Sequence, residues 1–318
     1  MRILEFEAKN LLEDQGLPLP SREVVISAEE AKAAAEKLGG PVVLKAQIPI
    51  GGRMKGGGVF FCNTSVEVAE KTKHLLGSVV NKHVVELVLV EKQIQIEKEV
   101  FIGFLYDTQE RTASVIASIS GGIDVEAAGS VFRRPFSCVT SPGTYMGLEV
   151  ASNLGFEGQK CVRLGSLING LVKSFLKWDA ALLEINPLVL DKDGVWWIAD
   201  VHLELDDDAA FRQGALHKEV PVSAGLAVPV TQFEQNAIKI NETDHRGVAG
   251  RLVPFDGNIG MLIGGGGASL TAFDAVLDAG LKPANYCEIG GNPSVWKIQE
   301  LTKLILSQPQ VDRLIVIM

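Results

Sequence analysis

The sequence has few cysteines and no long apolar run, and both shortages exclude whole classes of protein. The four cysteines are widely spaced and form no C-x-x-C or zinc-ligand pattern, so neither a disulfide framework nor a zinc site is predicted. Such cysteines are typical of reduced thiols, which favours a cytoplasmic or organelle-matrix protein. No stretch approaches the roughly 18 apolar residues of a membrane helix. The first seven residues carry charges where a signal peptide would have an apolar core.

Positively charged residues are also few. The chain has 30 lysines and arginines against 39 acidic residues, which gives a net charge of -9. This balance argues against nucleic acid or an anionic membrane as a general partner. It does not argue against a nucleotide, whose phosphates are bound by local features. No glycine run is closed by the G-K-[ST] of a Walker motif, so that class of nucleotide site is not predicted.

What the chain does contain is 47% hydrophobic residues and 33 glycines in 318 residues, enough for roughly two domains. An amphipathic helix is predicted over residues 3–15, with Glu5 and Lys9 among its polar positions. Ser27 is predicted to cap a helix that runs through Leu38. Residues 121–147 are interpreted as rich in loops, and residues 221–255 as a crossing between domains.

The most informative stretch is residues 180–200, where two apolar runs flank Asp191-Lys192-Asp193-Gly194 and predict a β-hairpin. A three-residue loop with Gly194 in the left-handed region sets Asn186 opposite Asp200. Glu184 and His202 then share that face. The same register predicts that five apolar residues share the face as well: Leu182, Leu188, Leu190, Trp196 and Ile198.

A carboxylate and an amide oxygen side by side form a partial shell for Mg²⁺, which takes its other oxygens from water and phosphates. Asn186 and Asp200 are therefore predicted as metal ligands. The alternative is a hairpin whose polar end only faces solvent. Burying polar groups that have no partner costs free energy, which favours the metal site.

A second set of candidates surrounds Lys45, which lies in the apolar strand 41–48. A buried, unpaired ammonium is costly, and a phosphate would satisfy it; the alternative is a lysine that reaches solvent from the end of the strand. The glycine loop that follows, residues 51–58, offers backbone N–H groups to an anion. Glu91 and Glu99, at the ends of strands, are predicted to bind ribose hydroxyls or to complete the polar site.

The last part of the chain alternates strands and helices from residue 258 to residue 317, which is typical of a parallel βαβαβ unit. The chain stops within the third of these strands. Ligands in open α/β sheets bind beyond the carboxyl ends of the strands. The unit is therefore expected to be incomplete at its C-terminus. Gly264 begins the glycine run that follows the first strand.

Taken together, these motifs resemble the β subunit of succinyl-CoA synthetase, a family of NDP-forming acyl-CoA ligases with an ATP-grasp nucleotide site. The resemblance covers nearly all of the chain. It is carried by these sequence words: Leu4 to Lys9, Val43 to Gln47, Gly51 to Arg53, Leu89 to Glu91, Lys98 to Val100, Leu183 to Val189 and Asp256 to Gly260.

The resemblance implies an α/β fold, with an α+β ATP-grasp domain at residues 1–232. A crossing at residues 233–256 and a truncated, flavodoxin-like CoA-ligase domain at residues 257–318 follow. The implied activity is an acid–thiol ligase that couples NTP to thioester formation from succinate and CoA. The phosphohistidine and the CoA site would belong to a partner α subunit, because no histidine here stands in the family's phosphohistidine motif.

The resemblance also implies a role for each candidate residue. Glu184 would orient the partner's histidine, Asn186 and Asp200 would hold Mg²⁺, and Gly264 would belong to the substrate side. The nucleotide, as ATP/ADP, would contact the remaining set: Lys45, Gly52, Arg53, Met54, Glu91, Ile94 and Glu99.

Two departures from the family pattern leave the nucleotide and the acid open. Met54 replaces the usual glycine of Gly-Arg-Gly, so GTP/GDP is not excluded. The run that begins at Gly264 is closer to the ATP-citrate lyase and citryl-CoA synthetase branch, which makes citrate or malate the alternative to succinate. Two further functions are also compatible with the sequence: a carboxylate–amine ligase, and a nucleotide-binding assembly subunit that is inactive alone.

Overall fold

The computed structural model describes residues 1–119, 131–139, 142–225, 231–247 and 252–318. The chain divides into two compact units, Met1–Ala227 and Val228–Met318. Each unit has its own core and is described by itself.

The first unit combines helices with two larger antiparallel sheets and a short two-stranded one. Its helices are α1 (Glu5–Asp14), α2 (Ala28–Leu38), α3 (Ser65–Leu75), α4 (Tyr145–Asn153), α5 (Gly158–Lys177), α6 (Gly214–Glu219) and α7 (Pro221–Gly225). Its strands are β1 (Arg2–Ile3), β2 (Arg22–Val25), β3 (Val42–Ala46), β4 (Val59–Cys62), β5 (Val79–Val80), β6 (His83–Val84), β7 (Val88–Lys92), β8 (Ile96–Asp107), β9 (Thr112–Ser118), β10 (Phe132–Phe136), β11 (Ala180–Asp191), β12 (Trp196–Ile198) and β13 (Val201–Leu205).

The larger sheet has the order β1-β13-β11-β8-β9-β10, with β12 paired to β11. Helix α5 packs against β8 and β11, and its Leu164, Ile168 and Phe175 are fully buried in their shared core. The smaller sheet has the order β2-β7-β3-β4. Helices α2 and α3 cover it, and the side chains of Ala31 and Val68 lie in its core.

The predicted start of α2 and the predicted turn of the hairpin are both confirmed. The side chain of Ser27 accepts a hydrogen bond from the backbone N–H of Glu30 and so caps α2. Gly194 has a φ of 77°, and its N–H donates to the carbonyl of Asp191. The hairpin loop is therefore the predicted turn with a left-handed glycine.

The hairpin register is confirmed, but the predicted face is only partly right. Glu184 pairs with His202 and Leu188 with Ile198, as expected. Against β8, however, β11 carries one extra residue between Ile185 and Leu188, which is a β-bulge. The bulge switches the alternation of side chains, so Leu188 packs in the same core as Ile185.

The apolar residues beyond the bulge therefore do not share a face with Glu184, and that part of the prediction is wrong. These buried residues are Leu188, Leu190, Trp196 and Ile198. A sheet alternates strictly only while its register is unbroken. The bulge lets the polar residues face outwards on one side of it while the apolar residues face the core on the other.

The elements of the second unit are α8 (Gln232–Thr243), β14 (Val253–Pro254), β15 (Ile259–Gly264), α9 (Gly266–Asp278), β16 (Asn285–Tyr286), β17 (Glu288–Ile289), α10 (Val295–Leu306) and β18 (Arg313–Ile317). They include a small parallel sheet, as predicted, with the order β17-β15-β18. The segment interpreted as a crossing includes α8, which begins with a capping box of Thr231 and Glu234.

Several elements of the first unit were not predicted from the sequence. The stretch interpreted as loops contains β10 and the start of α4, while its residues 121–130 and 140–141 lie outside the described residues. The short hairpin of β5 and β6 was not predicted either; its turn residues Asn81 and Lys82 both have positive φ. A two-residue turn of this kind is usually recognised from Asn-Gly, which is absent here.

We predict that Gly147→Ala destabilises the first unit by about 1–3 kcal/mol, because α4 and α5 approach each other through glycines. A β-carbon at Gly147 would lie 2.1 Å from the carbonyl oxygen of Gly165. Urea unfolding followed by circular dichroism measures the change. Gly214→Ala in α6 is the matched control, since nothing lies within 4 Å of its β-carbon position. Equal stability of both variants would show that the helix crossing is not tightly packed.

Candidate functional site

A cleft of about 270 Å³ lies in the first unit, where the predicted polar residues of the hairpin face the glycine loop. It is lined by Ile3, Glu5, Ile48, Pro49, Ile50, Gly51, Gly52, Arg53, Glu184, Asn186, Asp200, Val201 and His202. The structure therefore brings together residues that are up to 199 positions apart in the chain, from Ile3 to His202.

The hairpin supplies one wall of this cleft. The backbone N–H of Asn186 donates to the carbonyl of Asp200 at 3.2 Å. The Asn186 side-chain Nδ2 donates to Glu184 Oε1, also at 3.2 Å. This bond orients the Asn186 amide and ties it to Glu184. Glu184, Asn186 and Asp200 are thus held on one side of the sheet, as the sequence predicted.

The donor chemistry of Asn186 and Asp200 fits Mg²⁺, because both side chains offer the hard oxygen ligands that this ion prefers. Within the described part of the chain, no three His, Cys, Asp or Glu side chains are grouped so that they could hold a metal by themselves. A site with two protein oxygens is typical of Mg²⁺ bound together with phosphate.

The ammonium of Lys45 is already paired within the protein. It does not need a phosphate to neutralise it, contrary to the prediction from the sequence. Its Nζ donates to Glu5 Oε1 at 3.0 Å, to Glu91 Oε1 at 2.7 Å and to the carbonyl of Ala199 at 2.5 Å. An ammonium has three N–H donors, so these acceptors use all of them. The alternative of a lysine that reaches solvent is also wrong, because Lys45 is 7% exposed.

A second lysine, which sequence analysis left on the polar face of a helix, lies beside Lys45. The Nζ of Lys9 bonds to Glu91, to Glu5 Oε1 at 2.9 Å and to the Ala199 carbonyl at 2.7 Å. Both oxygens of Glu91 are thus engaged by lysines. Glu91 was predicted either to bind ribose hydroxyls or to complete the polar site. Its contacts with Lys9 and Lys45 correspond to the second role.

Arg53 lies within the exposed glycine loop, yet its guanidinium points into the protein. Its Nη1 donates to Glu5 Oε2 at 2.6 Å, and its Nη2 donates to Asp200 Oδ1 at 2.5 Å. The next residue, Met54, is 53% exposed. Arg53 therefore links α1, the glycine loop and the hairpin.

These six residues form what we call the charge network: Glu5, Lys9, Lys45, Arg53, Glu91 and Asp200. Its three cations balance its three carboxylates. Burial by itself raises the pKa of Glu5, but the charges of Arg53, Lys45 and Lys9 overcome this effect and hold that pKa well below its usual range. Burial raises the pKa of Asp200, and Arg53 opposes the rise.

Glu5 and Lys9 are the site residues that sequence reasoning missed. They are 3% and 0% exposed, so the expectation that they lie on a polar helix face is wrong. The signal that was present is their spacing, because a glutamate and a lysine four residues apart meet on one side of a helix. That spacing is equally common on solvent-facing helices, so it did not reveal burial.

The remaining predicted site residues lie outside the charge network. Gly52, with a φ of 71°, lines the cleft, whereas Ile94 and Glu99 are half-buried and are not among its lining residues. In the second unit, Gly264 ends β15, and Gly265 with a φ of 90° leads into α9. Their contacts with a nucleotide or an acid stay predictions.

Near that glycine run, three polar side chains are joined in a chain of hydrogen bonds. The hydroxyls of Ser269 and Tyr286 lie 2.7 Å apart, and Tyr286 donates to Glu288 Oε2 at 3.0 Å. A β-carbon at Gly266 would lie 3.1 Å from Glu288 Oε1. The glycine therefore lets the backbone run close to this carboxylate at the carboxyl end of the sheet.

Among the described residues, none of the helices has both the length and the apolar character that crossing a membrane requires.

Comparison with families of known proteins matches both units. The ATP-grasp domain family matches residues 2–190, and a family described as ATP citrate lyase citrate-binding matches residues 231–316. The ADP-forming succinate–CoA ligase subunit beta of Herpetosiphon aurantiacus is 32% identical over 317 residues, which cover 98% of this chain and 80% of that protein. Subunit beta 2 of the same ligase from Archaeoglobus fulgidus is also 32% identical, over 316 residues, with the same coverage.

Among solved structures, ATP citrate lyase from Methanothrix soehngenii in complex with citrate and coenzyme A is similar, with a TM-score of 0.65. The match covers 99% of this chain and 80% of that chain at 20% identity, which is evidence for the fold alone. These comparisons confirm the predicted α/β fold class and the predicted resemblance.

We predict that Glu5→Gln destabilises the first unit by about 3–5 kcal/mol, because it leaves three buried cations with two carboxylates. Urea unfolding at neutral pH measures the loss. Glu13→Gln is the matched control: Glu13 pairs with Arg22 but is 61% exposed, so about 0–1 kcal/mol is expected. A loss as small as that of the control would show that the charge network does not depend on Glu5.

The stabilisation by Glu5 is also expected to depend on pH. Because its pKa is lowered on folding, the contribution is complete above the unfolded pKa of about 4.3 and is lost as the pH falls towards the folded pKa. The difference in unfolding free energy between the wild type and Glu5→Gln should therefore shrink below about pH 4. A difference that stays constant down to pH 2 would contradict this.

Proposed function

We propose that this chain, which belongs to the family of ATP-grasp succinate–CoA ligase β subunits, is the nucleotide-binding subunit of an NDP-forming acyl-CoA ligase. The reaction would join a carboxylic acid to CoA at the expense of ATP and would release ADP and phosphate. The single observation that carries the proposal is the cleft in which Glu184, Asn186 and Asp200 face Arg53 and the glycine loop.

Charge is the first reason why this cleft suits phosphoryl transfer. Asn186 and Asp200 would hold Mg²⁺, which when bound neutralises charge on the phosphates. Arg53 and the backbone N–H groups of the glycine loop would bind phosphate oxygens. Lys45 is paired with Glu5 and Glu91, so it would contact a phosphate directly only after releasing one of its present acceptors.

Glu184 has a different role, because it is a carboxylate held by Asn186 at the wall of the cleft. A carboxylate of this kind can accept a hydrogen bond from an imidazole and fix its orientation. The phosphoryl group would pass to a histidine of a partner α subunit, which would also bind CoA. Ile94, Glu99 and Met54 are proposed to contact the base and ribose.

The acid substrate is proposed to be succinate, as in the names of the relatives, and to bind near Gly264. Citrate or malate is the alternative. This alternative is supported by the match of residues 231–316 to a citrate-binding family and by the glycine run at residues 264–267.

The described cysteines Cys62, Cys138, Cys161 and Cys287 are all free thiols, in keeping with a reducing compartment such as the cytoplasm or an organelle matrix.

Co-purification with an α subunit and assay of NDP release test the proposal. Succinate, malate and citrate are compared with ATP and GTP as donors. Release that depends on CoA and on one of the three acids is expected. No release with any acid, together with no binding of Mg-ADP in calorimetry, would overturn the assignment.

We predict that Asp200→Asn lowers kcat/KM for ATP by about 100-fold or more, equivalent to about 2.7 kcal/mol, because a neutral side chain holds the metal weakly. The assay is NDP release by the complex at saturating acid and CoA. Asp193→Asn, in the exposed hairpin loop of the same strand pair, is the control and should leave kcat/KM unchanged. Equal activity of the two variants would show that Asp200 does not hold the metal.

We predict that Glu184→Gln separates binding from turnover. It should leave the Kd of Mg-ADP within about threefold, since Glu184 is proposed to bind the partner's histidine rather than the nucleotide. It should lower kcat by about tenfold or more, because the histidine loses its orienting carboxylate. Calorimetry and single-turnover phosphorylation of the complex measure the two effects. A parallel loss of nucleotide binding would instead assign Glu184 to the nucleotide pocket.

A further inference from the structure

The charge network is closed in this structure, because each cation is engaged by protein acceptors. Lys9 and Lys45 each contact two carboxylates and a carbonyl. Arg53 spans Glu5 and Asp200. A phosphate that binds one of these cations directly, or a metal that binds Asp200 Oδ1, must therefore replace an existing contact.

Asp200 is far more accessible than the other members of the charge network. Its side chain is 36% exposed, whereas the other five side chains, including that of Arg53 at 7%, are between 0% and 8% exposed. Asp200 also lines the cleft together with Arg53 and Glu5. A solute entering the cleft therefore meets the carboxylate of Asp200 before the other charges of the network.

Arg53 and a divalent metal would compete for the same carboxylate. Asp200 Oδ1 already accepts two hydrogen bonds, from Arg53 Nη2 at 2.5 Å and from the backbone N–H of Val201 at 2.8 Å. A metal on Asp200 beside a guanidinium at this distance would suffer strong repulsion between like charges. A metal that took Asp200 Oδ1 as a ligand would therefore displace the guanidinium.

The part of Arg53 that would move is its side chain, because hydrogen bonds hold the backbone of the glycine loop. The backbone N–H of Gly58 donates to the carbonyl of Arg53 at 2.7 Å, and that of Gly56 donates to the carbonyl of Gly52 at 3.1 Å. The loop residues on either side of Arg53, 51–52 and 54–57, are exposed. A phosphate beneath this loop would offer the guanidinium new acceptors that replace Asp200.

We infer that Arg53 is an internal counter-cation for Asp200, so that the cleft admits a divalent metal together with phosphate groups and rejects the free metal. The inference rests on the proposed function for the identity of the ligand. It assigns Arg53 a second role, as the residue that determines specificity for metal–nucleotide over metal alone. Phosphates draw the guanidinium away, and Asp200 becomes available at the same moment.

The test uses Mn²⁺ as a probe, since its electron paramagnetic resonance signal falls when it binds protein. In Arg53→Gln, Asp200 keeps its charge but has lost its competitor. The affinity for free Mn²⁺ should rise about tenfold or more, whereas the affinity for Mn-ADP should fall about tenfold, because the phosphates lose a partner. These opposite changes are the signature of the inferred role.

Two further variants serve as a control and as a fallback for the test. Arg212→Gln is the matched control, because Arg212 also pairs with a carboxylate, Asp179, at 2.9 Å but is 52% exposed; both affinities should stay as in the wild type. Arg53→Lys keeps the charge in case Arg53→Gln fails to fold. Its ammonium lacks the forked geometry needed to span two carboxylates, so a smaller gain for free Mn²⁺ is expected.

Each outcome has a separate meaning. If the folded Arg53 variants bind free Mn²⁺ no better than the wild type while the wild type binds Mn-ADP, the inference is wrong and the proposed function stands. If the wild type binds free Mn²⁺ as tightly as Mn-ADP, the inference is also wrong. If the wild type binds no metal–nucleotide at all, the proposed function itself fails.

Discussion

The neutrality of the charge network is the constraint on which the site depends. Each buried ion costs several kcal/mol in lost hydration, and only close partners with complete hydrogen bonding offset that cost. Glu5 contributes most to this balance, because its two oxygens contact Lys9, Lys45 and Arg53. Removing any member leaves an uncompensated charge in a medium of low dielectric constant. The positions of α1, β3, β7 and the glycine loop are thereby coupled to one another.

The β-bulge in β11 explains how a buried sheet can also present a polar site. Before the bulge, Leu183 and Ile185 face the core while Glu184 and Asn186 face the cleft. After it, Leu188 faces the core with them. Without the extra residue, either the polar side chains or the apolar ones would point the wrong way. One local irregularity thus serves both the stability of the sheet and the geometry of the cleft.

The sequence was sufficient for features governed by local chemistry and insufficient for those governed by tertiary contacts. Ser27, Gly194 and the pairing of Glu184 with His202 followed from capping, turn and register rules. The burial of Glu5 and Lys9 did not, because partners of each lie far away in the chain. Lys45 and Arg53 contact Glu5 from 40 and 48 residues away, and Glu91 contacts Lys9 from 82 residues away. Lys45 was assigned to phosphate by assuming that its only partner would be a ligand. Internal carboxylates satisfy a buried ammonium equally well.

The closed network changes how nucleotide binding should be understood in this chain. An open site would gain the full attraction between cations and phosphates, whereas here the gain is the difference between new ion pairs and those that they replace. Such an exchange lowers affinity for any single ion, since a lone anion or a lone metal would leave the network unbalanced. A metal and phosphates arriving together can replace the pair of Arg53 and Asp200 with two new ones and keep the balance. Selectivity for the metal–nucleotide complex then follows from the need to keep the charges of the buried network in balance.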